Sequence, residues 1–278
     1  MIFGKFNVGK STLFNQILKK KISIVSKKRN TTLLPILGIC TDGVYQSIYI
    51  DTPSLFFKKK QVFNFFKDNN CFDFVISVDM INIIIFVVDS INWTIYDEFI
   101  SKKIFDYYKS CTVILVINKI DNILYKNKLL SYISFISTKI KFDEIIPVSA
   151  KNNFNIDVLI KVIKKNLPNS YHFFSKNITT NVSNKFVASE IIREKIMLCF
   201  WDEIPYSVFV KIESFIFNKF TGSYNIHGII FVICDMHKKI IIGHEGKKIK
   251  KISILSRKEM EIFYGVCVYL KLWVKKLK

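Results

Sequence analysis

Alanine and arginine are nearly absent from this 278-residue chain: there are two alanines, Ala150 and Ala188, and all but three of the 42 basic residues are lysine. Isoleucine, asparagine, lysine and phenylalanine abound instead, all encoded by A/T-rich codons. Drifted base composition alone can enrich lysine in this way, so the formal charge of +20 is not by itself a sign of function, although a charge of this sign attracts phosphates whatever its origin. Long apolar runs are missing too. The longest, Ile81–Val88, is interrupted by Asn82 and stopped by Asp89; it is far short of the roughly 18 residues of a membrane span and reads as a buried strand. The first nine residues lack the apolar h-region and cleavage site of a secretory signal, so a cytoplasmic location is expected. The six cysteines contain no CxxC pair and have mostly apolar neighbours, which predicts reduced, buried thiols. The four histidines show no HExxH or paired-ligand spacing, which argues against a protein-built metal site. With 50% apolar residues the chain is not intrinsically disordered.

What is present is an alternation of apolar runs with longer amphipathic segments over the first 165 residues, the pattern of a parallel sheet covered by helices. Strands are predicted at Ile36–Thr41, Val44–Asp51, Ile83–Asp89, Thr112–Asn118 and Glu144–Val148. Asp42-Gly43 between the first two predicts a two-residue hairpin, hence one antiparallel pair at a sheet edge. The pattern lapses into Leu-Pro-Asn-Ser-Tyr-His near Asn166–Ile178. Beyond it, Ala188–Phe200 reads as a helix, Val208–Phe217 and Ile226–Cys234 as strands, Ile249–Phe263 as a helix and Gly265–Val274 as a strand. The expected architecture is an α/β nucleotide-binding domain over 1–168, a linker over 169–180 and a small α+β domain over 181–278.

Gly4-Lys5-Phe6-Asn7-Val8-Gly9-Lys10-Ser11 fits the phosphate-loop pattern G-x-x-x-x-G-K-[ST], and Thr12–Leu18 continues as a helix. Phosphate oxygens need several donors at once, and a glycine-rich loop turns successive backbone N–H groups toward them at a helix N-terminus. Lys10 is expected to reach the β/γ-phosphates, and the Ser11 hydroxyl to complete a Mg²⁺ shell. Asp51-Thr52-Pro53-Ser54-Leu55 follows an apolar strand, which places Asp51 where it meets a water on Mg²⁺. Asn118-Lys119-Ile120-Asp121 follows another strand. A carboxylate at Asp121 accepts from both N1–H and the exocyclic amine of guanine, a donor pair that adenine lacks. Val148-Ser149-Ala150 would bring N–H groups near the guanine carbonyl. Thr31 and Thr32 are the candidate switch hydroxyls for Mg²⁺, with Thr32 preferred. Lys10 and Thr32 are the expected catalytic groups, and the bound nucleotide is expected to be GTP or GDP.

Across these elements the chain resembles the Era family of translation-associated GTPases, within the TrmE–Era class. Asn7 to Asn15, Lys21-Ile22-Ser23-Ile24, Gly38-Ile39, Ile48 to Pro53 and Trp93-Thr94 carry the resemblance, as do Ala188 to Lys195 and Pro205-Tyr206-Ser207-Val208. The resemblance implies a P-loop GTPase domain followed by a type II-like KH domain. It also implies slow intrinsic hydrolysis, a K⁺ beside the phosphates near Asn7, and tolerance of Leu55 where Ras-like proteins place a water-orienting Gln. Two departures stand out. Ser54 replaces a glycine, which restricts the backbone where its N–H would meet the γ-phosphate. Only Met1-Ile2-Phe3 precede Gly4, whereas a strand ordinarily has about five or six residues, so either an upstream start or a shortened sheet centre is expected.

Ile242-Gly243-His244-Glu245-Gly246-Lys247-Lys248-Ile249-Lys250 resembles the G-x-x-G loop with which KH domains clamp nucleic-acid backbone. Eight basic residues and one acid, Glu245, lie between 238 and 258. Codon bias explains why they are mostly lysine, not why they sit together. The expected RNA contacts are Ile242, Gly243, His244, Gly246, Lys247, Lys248 and Lys250. The Era resemblance implies that the RNA is the 3′ end of small-subunit rRNA, that the partner is the small ribosomal subunit, and that GTP state is coupled to subunit maturation. The alternative is an RNA-binding protein with a weak or vestigial GTPase. A monomer is expected, with transient contact to the inner membrane face through its positive charge.

Overall fold

A computed structural model describes residues 1–24, 35–52, 63–64, 75–76, 80–180, 182–200, 204 and 207–277. The chain forms two compact units, Met1–Asn181 and Val182–Lys278. The first contains β1 (Ile2–Phe3), α1 (Lys10–Leu18), β2 (Ile36–Asp42), β3 (Tyr45–Asp51), β4 (Phe63–Asn64), β5 (Val75–Ile76), β6 (Ile83–Asp89), α2 (Ile95–Tyr107), β7 (Thr112–Asn118), α3 (Lys126–Lys139), β8 (Glu144–Pro147) and α4 (Ile156–Lys165). Its six-stranded sheet has the order β2-β3-β1-β6-β7-β8. Every neighbouring pair is parallel except β2 with β3, so the single antiparallel strand is at the edge.

β6 and β7 are continuous apolar runs because both their faces are covered. Ile84, Phe86 and Val88 pack with Leu115 and Ile117 against Ile100 and Ile104 of α2 and Ile136 of α3. Alternation turns Ile85 and Val87 to the opposite face, where they are also buried. Thr94 starts α2 with a reciprocal capping box: its hydroxyl accepts from the Asp97 backbone, and the Asp97 carboxylate accepts from the Thr94 N–H.

The hairpin differs from expectation by one residue. Asp42 pairs with Tyr45, so the two loop residues are Gly43 and Val44, and Gly43 supplies the positive φ of 60° at the first of them. The central β1 is two residues long; Ile2 pairs with both Asp51 and Ile85. The thiols are less buried than expected: Cys40, Cys111, Cys199 and Cys234 are half-buried and Cys267, in the turn before the last strand, is exposed, all five free.

The second unit contains α5 (Asn184–Cys199), β9 (Val208–Asn218), β10 (Ser223–Val232), α6 (Asp235–Ile242), α7 (Lys247–Tyr264) and β11 (Val268–Lys276). The sheet order is β11-β10-β9, with β10 parallel to β11 and antiparallel to β9. Ile192 and Ile196 of α5, Ile241 of α6 and Ile252 and Met260 of α7 share a core with Val210, Ile226, Ile230 and Val274 of the sheet. Sequence periodicity missed α6, whose Ile240–Ile242 merges with the apolar lead into the glycine loop. Buried α5 charges are paired: both Glu190 oxygens accept from Arg193 at 2.8 and 2.7 Å, and Lys195 reaches Glu259 of α7 at 3.2 Å.

Gly38 lets α1 lie close against β2. A Cβ there would come within 2.2 Å of a Leu18 methyl and 2.8 Å of the Phe14 ring. Gly38→Ala is expected to destabilise the first unit by about 1–3 kcal/mol through overpacking. The measurement is urea unfolding: the midpoint should fall while the slope stays unchanged.

Candidate functional site

The phosphate loop runs from the end of β1 into α1 and needs backbone geometry that few residues adopt. Gly4 has φ +149° and Gly9 φ +94°, and Asn7 sits in the left-handed region at 61°. A Cβ on Gly4 would lie 2.3 Å from the Val87 carbonyl oxygen, and one on Gly9 2.3 Å from the Asn118 amide nitrogen. Both glycines are therefore fixed by close approach as well as by φ. The first turn of α1 contains no acidic residue, which leaves its positive dipole end suited to an anion.

Lys10 is buried, and its ammonium donates to the carbonyl oxygens of Gly4 and Lys5, both at 2.8 Å. Burial lowers its pKa to about 8, against the upward pull of Asp51. Asp51, fully buried at the end of β3, accepts on one carboxylate oxygen from the hydroxyls of Ser11 at 2.7 Å and Ser23 at 2.8 Å. Ser23 is a contributor that sequence reasoning left without a role. Asn15 sets its position, accepting from the Ile22 and Ser23 N–H groups and donating to the Ser23 carbonyl.

The second cluster gathers at the ends of β6, β7 and β8. The Asn118 amide donates to the Val8 carbonyl at 2.8 Å, and its oxygen accepts from the Ala150 N–H at 3.0 Å. Lys119, at φ 61°, pairs with Asp89 at 2.8 Å. Ile120 N–H donates to the Val148 carbonyl at 3.3 Å, and the Ser149 hydroxyl donates to Asp121 at 2.5 Å. The two motifs that were separate in sequence are thus joined by hydrogen bonds at one end of the sheet. Asp89 was also missed; its position at the C-terminal end of a strand was the available signal.

Some expected residues are turned away from this cluster. The Lys5 ammonium points to Asp97 of α2 at 3.0 Å, Val8 is fully buried, and the Thr52 hydroxyl donates to the Ile2 carbonyl at 2.7 Å inside the sheet. Gly9, Phe6 and Thr12 belong to the loop and the start of α1. Thr31, Thr32, Pro53, Ser54 and Leu55 lie outside the described residues.

In the second unit the glycine loop links α6 to α7. Gly243, Glu245 and Gly246 have φ of 73°, 50° and 71°, so three of its four residues have positive φ. His244, Lys247, Lys248 and Lys250 are exposed, while Ile242, Gly243 and Gly246 are half-buried. Lys247 pairs with Glu245 at 3.0 Å, and the Lys248 ammonium lies 5.3 Å from the centre of the Phe200 ring.

A phosphate loop, a buried Ser–Asp oxygen pair and an Asn-Lys-x-Asp loop on this sheet, followed by a helix–strand–strand–helix–helix–strand unit, define a P-loop GTPase joined to a KH domain. Comparison with known proteins agrees on both parts. Residues 1–119 match the family described as 50S ribosome-binding GTPase, and residues 203–278 match the KH domain. The chain is 43% identical over 274 residues to GTPase Era of Yersinia enterocolitica, covering 99% of this chain and 88% of that protein. It is 42% identical over the same length to GTPase Era of Yersinia pestis. Among solved structures, Aquifex aeolicus Era bound to GDP and AlF₄⁻ superposes with a TM-score of 0.84 at 33% identity, covering 99% of this chain and 92% of that one. Era in complex with MgGDPNP and nucleotides 1506–1542 of 16S ribosomal RNA superposes at 0.83, also at 33% identity and with the same coverage. The chain belongs to the Era family of GTPases.

The lowered Lys10 pKa has a signed consequence. Without nucleotide, Lys10 is charged below about pH 8 at a cost in stability that is relieved as pH rises from about 8 toward its unfolded value. A polyphosphate ligand favours the charged form, so binding above about pH 8 takes up a proton. Nucleotide affinity is expected to fall with rising pH there, approaching about tenfold per pH unit. Titration calorimetry at pH 7, 8 and 9 checks this, and Lys10→Ala should bind more weakly with a flatter profile.

Proposed function

We propose that this chain binds GTP and Mg²⁺ at the cluster around Lys10, hydrolyses the nucleotide to GDP and phosphate, and binds the 3′ region of small-subunit rRNA through its KH loop. GTP state would thereby be coupled to maturation of the small ribosomal subunit. The observation that carries the reading is the joining of Lys10, Ser11 and Asp51 to Asn118, Asp121 and Ala150 at one end of the sheet. In this reading the residues from Gly4 to Thr12 cradle the phosphates, and Lys10 exchanges its two carbonyl partners for phosphate oxygens. Ser11 and, through a water, Asp51 hold Mg²⁺; their hard oxygen donors, 2.7 Å apart and part-buried, fit that ion. When bound, Mg²⁺ neutralises charge that develops on the phosphates. Thr32 and the segment Thr52 to Leu55 complete the proposal as switch residues, and Asn7 as a neighbour of K⁺.

Asp121 selects guanine, with Lys119 and Ile120 flanking the base and Val148 to Ala150 closing over it. Support for the RNA half comes from the relative solved with 16S rRNA and from the exposed lysines beside Gly243 and Gly246. A working monomer, mainly cytoplasmic with brief contact to anionic membrane surfaces, completes the picture. Turnover measured with purified protein, Mg²⁺ and K⁺ tests the enzyme: GTP binding without phosphate release, even with rRNA present, would refute it.

Replacing Asp121 with Asn removes a charged acceptor facing two guanine donors. GTP affinity should drop about 10- to 100-fold, equivalent to the roughly 1.5–3 kcal/mol of a charge-assisted bond. Competition with ATP in the same assay should show reduced selectivity. Lys247→Glu with Lys248→Glu should remove most binding to an rRNA 3′ fragment while leaving GTP affinity unchanged, measured by gel shift and calorimetry on one protein preparation.

A further inference from the structure

The face of the KH sheet opposite its helices is laid out as a grid of rings and lysines. Val210, Ile230 and Val274 point into the core with the helices, so alternation turns their neighbours outward. The register sets Phe209, Phe231 and Lys275 in one row, Lys211, Ile229 and Trp273 in the next, Ser214, His227 and Lys271 in the third, and Ile216, Asn225 and Tyr269 in the last. Phe209, Tyr269 and Trp273 are 59%, 61% and 43% exposed. Phe209 and Phe231 lie 6.3 Å apart between ring centres, and His227 meets Trp273 edge-on at 5.5 Å. Lys211, Lys271 and Lys275 are exposed, with Glu213 the acid on the same strands' outer side.

We propose that this sheet face binds a second stretch of single-stranded RNA, separate from the Gly243–Gly246 loop, with Phe209, Trp273 and Tyr269 stacking bases and Lys211, Lys271 and Lys275 meeting the phosphates. Rings on a flat sheet accept any base by its face, and lysines in adjacent rows supply charge along the backbone. Asn225 and His227 in the central strand favour this occupant over a lipid surface or an apolar protein. Burying their polar groups against hydrocarbon is costly, whereas base edges offer them hydrogen-bond partners. The excess of lysine over acid across the face matches a polyanion.

The inference goes beyond the loop reading and is tested with the loop disabled. In full-length protein carrying Lys247→Glu and Lys248→Glu, a labelled ten-nucleotide oligouridylate should still bind by fluorescence anisotropy. Adding Phe209→Ala and Trp273→Ala should weaken that binding about tenfold per ring. Lys271→Glu with Lys275→Glu changes exposed side chains and should lower both the affinity and its salt dependence without shifting thermal unfolding. That pair decides the matter should the ring variants fail to fold. Absence of binding with the loop disabled overturns the proposal, as does binding that neither variant set alters. Binding of phosphatidylserine vesicles through these residues, with none to the oligonucleotide, also overturns it. Loss of the loop's own contribution is read separately, from the loop variants in otherwise wild-type protein.

Discussion

One carboxamide holds the nucleotide site in its shape. Asn118 ends β7, donates to the Val8 carbonyl of the phosphate loop and accepts from the Ala150 N–H of the loop after β8. Two loops distant in sequence are thereby held to one strand end, and the strand itself is fixed by a core with no exposure at Ile114, Leu115, Val116 and Ile117. The same amide occupies the space where a Gly9 side chain would be. The glycine therefore serves two demands, its left-handed turn into α1 and the close approach of Asn118, and neither can relax without moving the other.

Around this junction the protein keeps charges where burial disfavours them. Lys10 is held among carbonyl oxygens with its proton weakened, and Asp51 collects two hydroxyls at the end of β3. Lys5 anchors the loop from the other side by pairing with Asp97, which is itself buried and closes the capping box of α2. Sheet packing positions the backbone of such a site in advance, while the Lys10 ammonium and the Ser11 hydroxyl are held by protein oxygens that a polyanion and its cation would have to replace.

Most of this was legible in the sequence because the signals were local. β6 and β7 have the ends assigned from Ile83–Asp89 and Thr112–Asn118, because a strand covered on both faces reads as an unbroken apolar run bounded by polar residues. The phosphate loop and the Asn118–Asp121 segment likewise announce themselves by short, chemically constrained spacing. What escaped depends on pairing across distance. Ser23 acts only because Asn15 positions it beside Asp51, Asp89 only because Lys119 returns to it, and Asp97 only because Lys5 is carried to α2. The hairpin slipped by one residue because Asp42 was free to pair with Tyr45 while Gly43 took the positive φ. Helix α6 was hidden because Ile240–Ile242 satisfies a helix stripe and a buried run equally well over so short a stretch.

Net charge shows the same limit from another side. Of the lysines counted in a total of +20, Lys10 and Lys195 are buried, Lys164 and Lys276 are paired with Asp42 and Asp235, and Lys102 is paired with Glu98. Of these, only Lys10 faces the phosphate loop; the charge of the other four is met by carboxylates within the protein. In the KH loop, Glu245 stands beside Lys247 in an exposed pair, an interaction typically of no more than about 1 kcal/mol. A phosphate displaces so weak a partner readily, yet the carboxylate remains and repels it, so Lys247 contributes less than an isolated lysine would. Lys248, set over the Phe200 ring, and Lys250 have no such acid paired with them among the described residues, so under the proposed loop reading they would carry more of the attraction. A loop whose charge is partly cancelled in this way gains from any further contact that the same domain offers along the RNA strand.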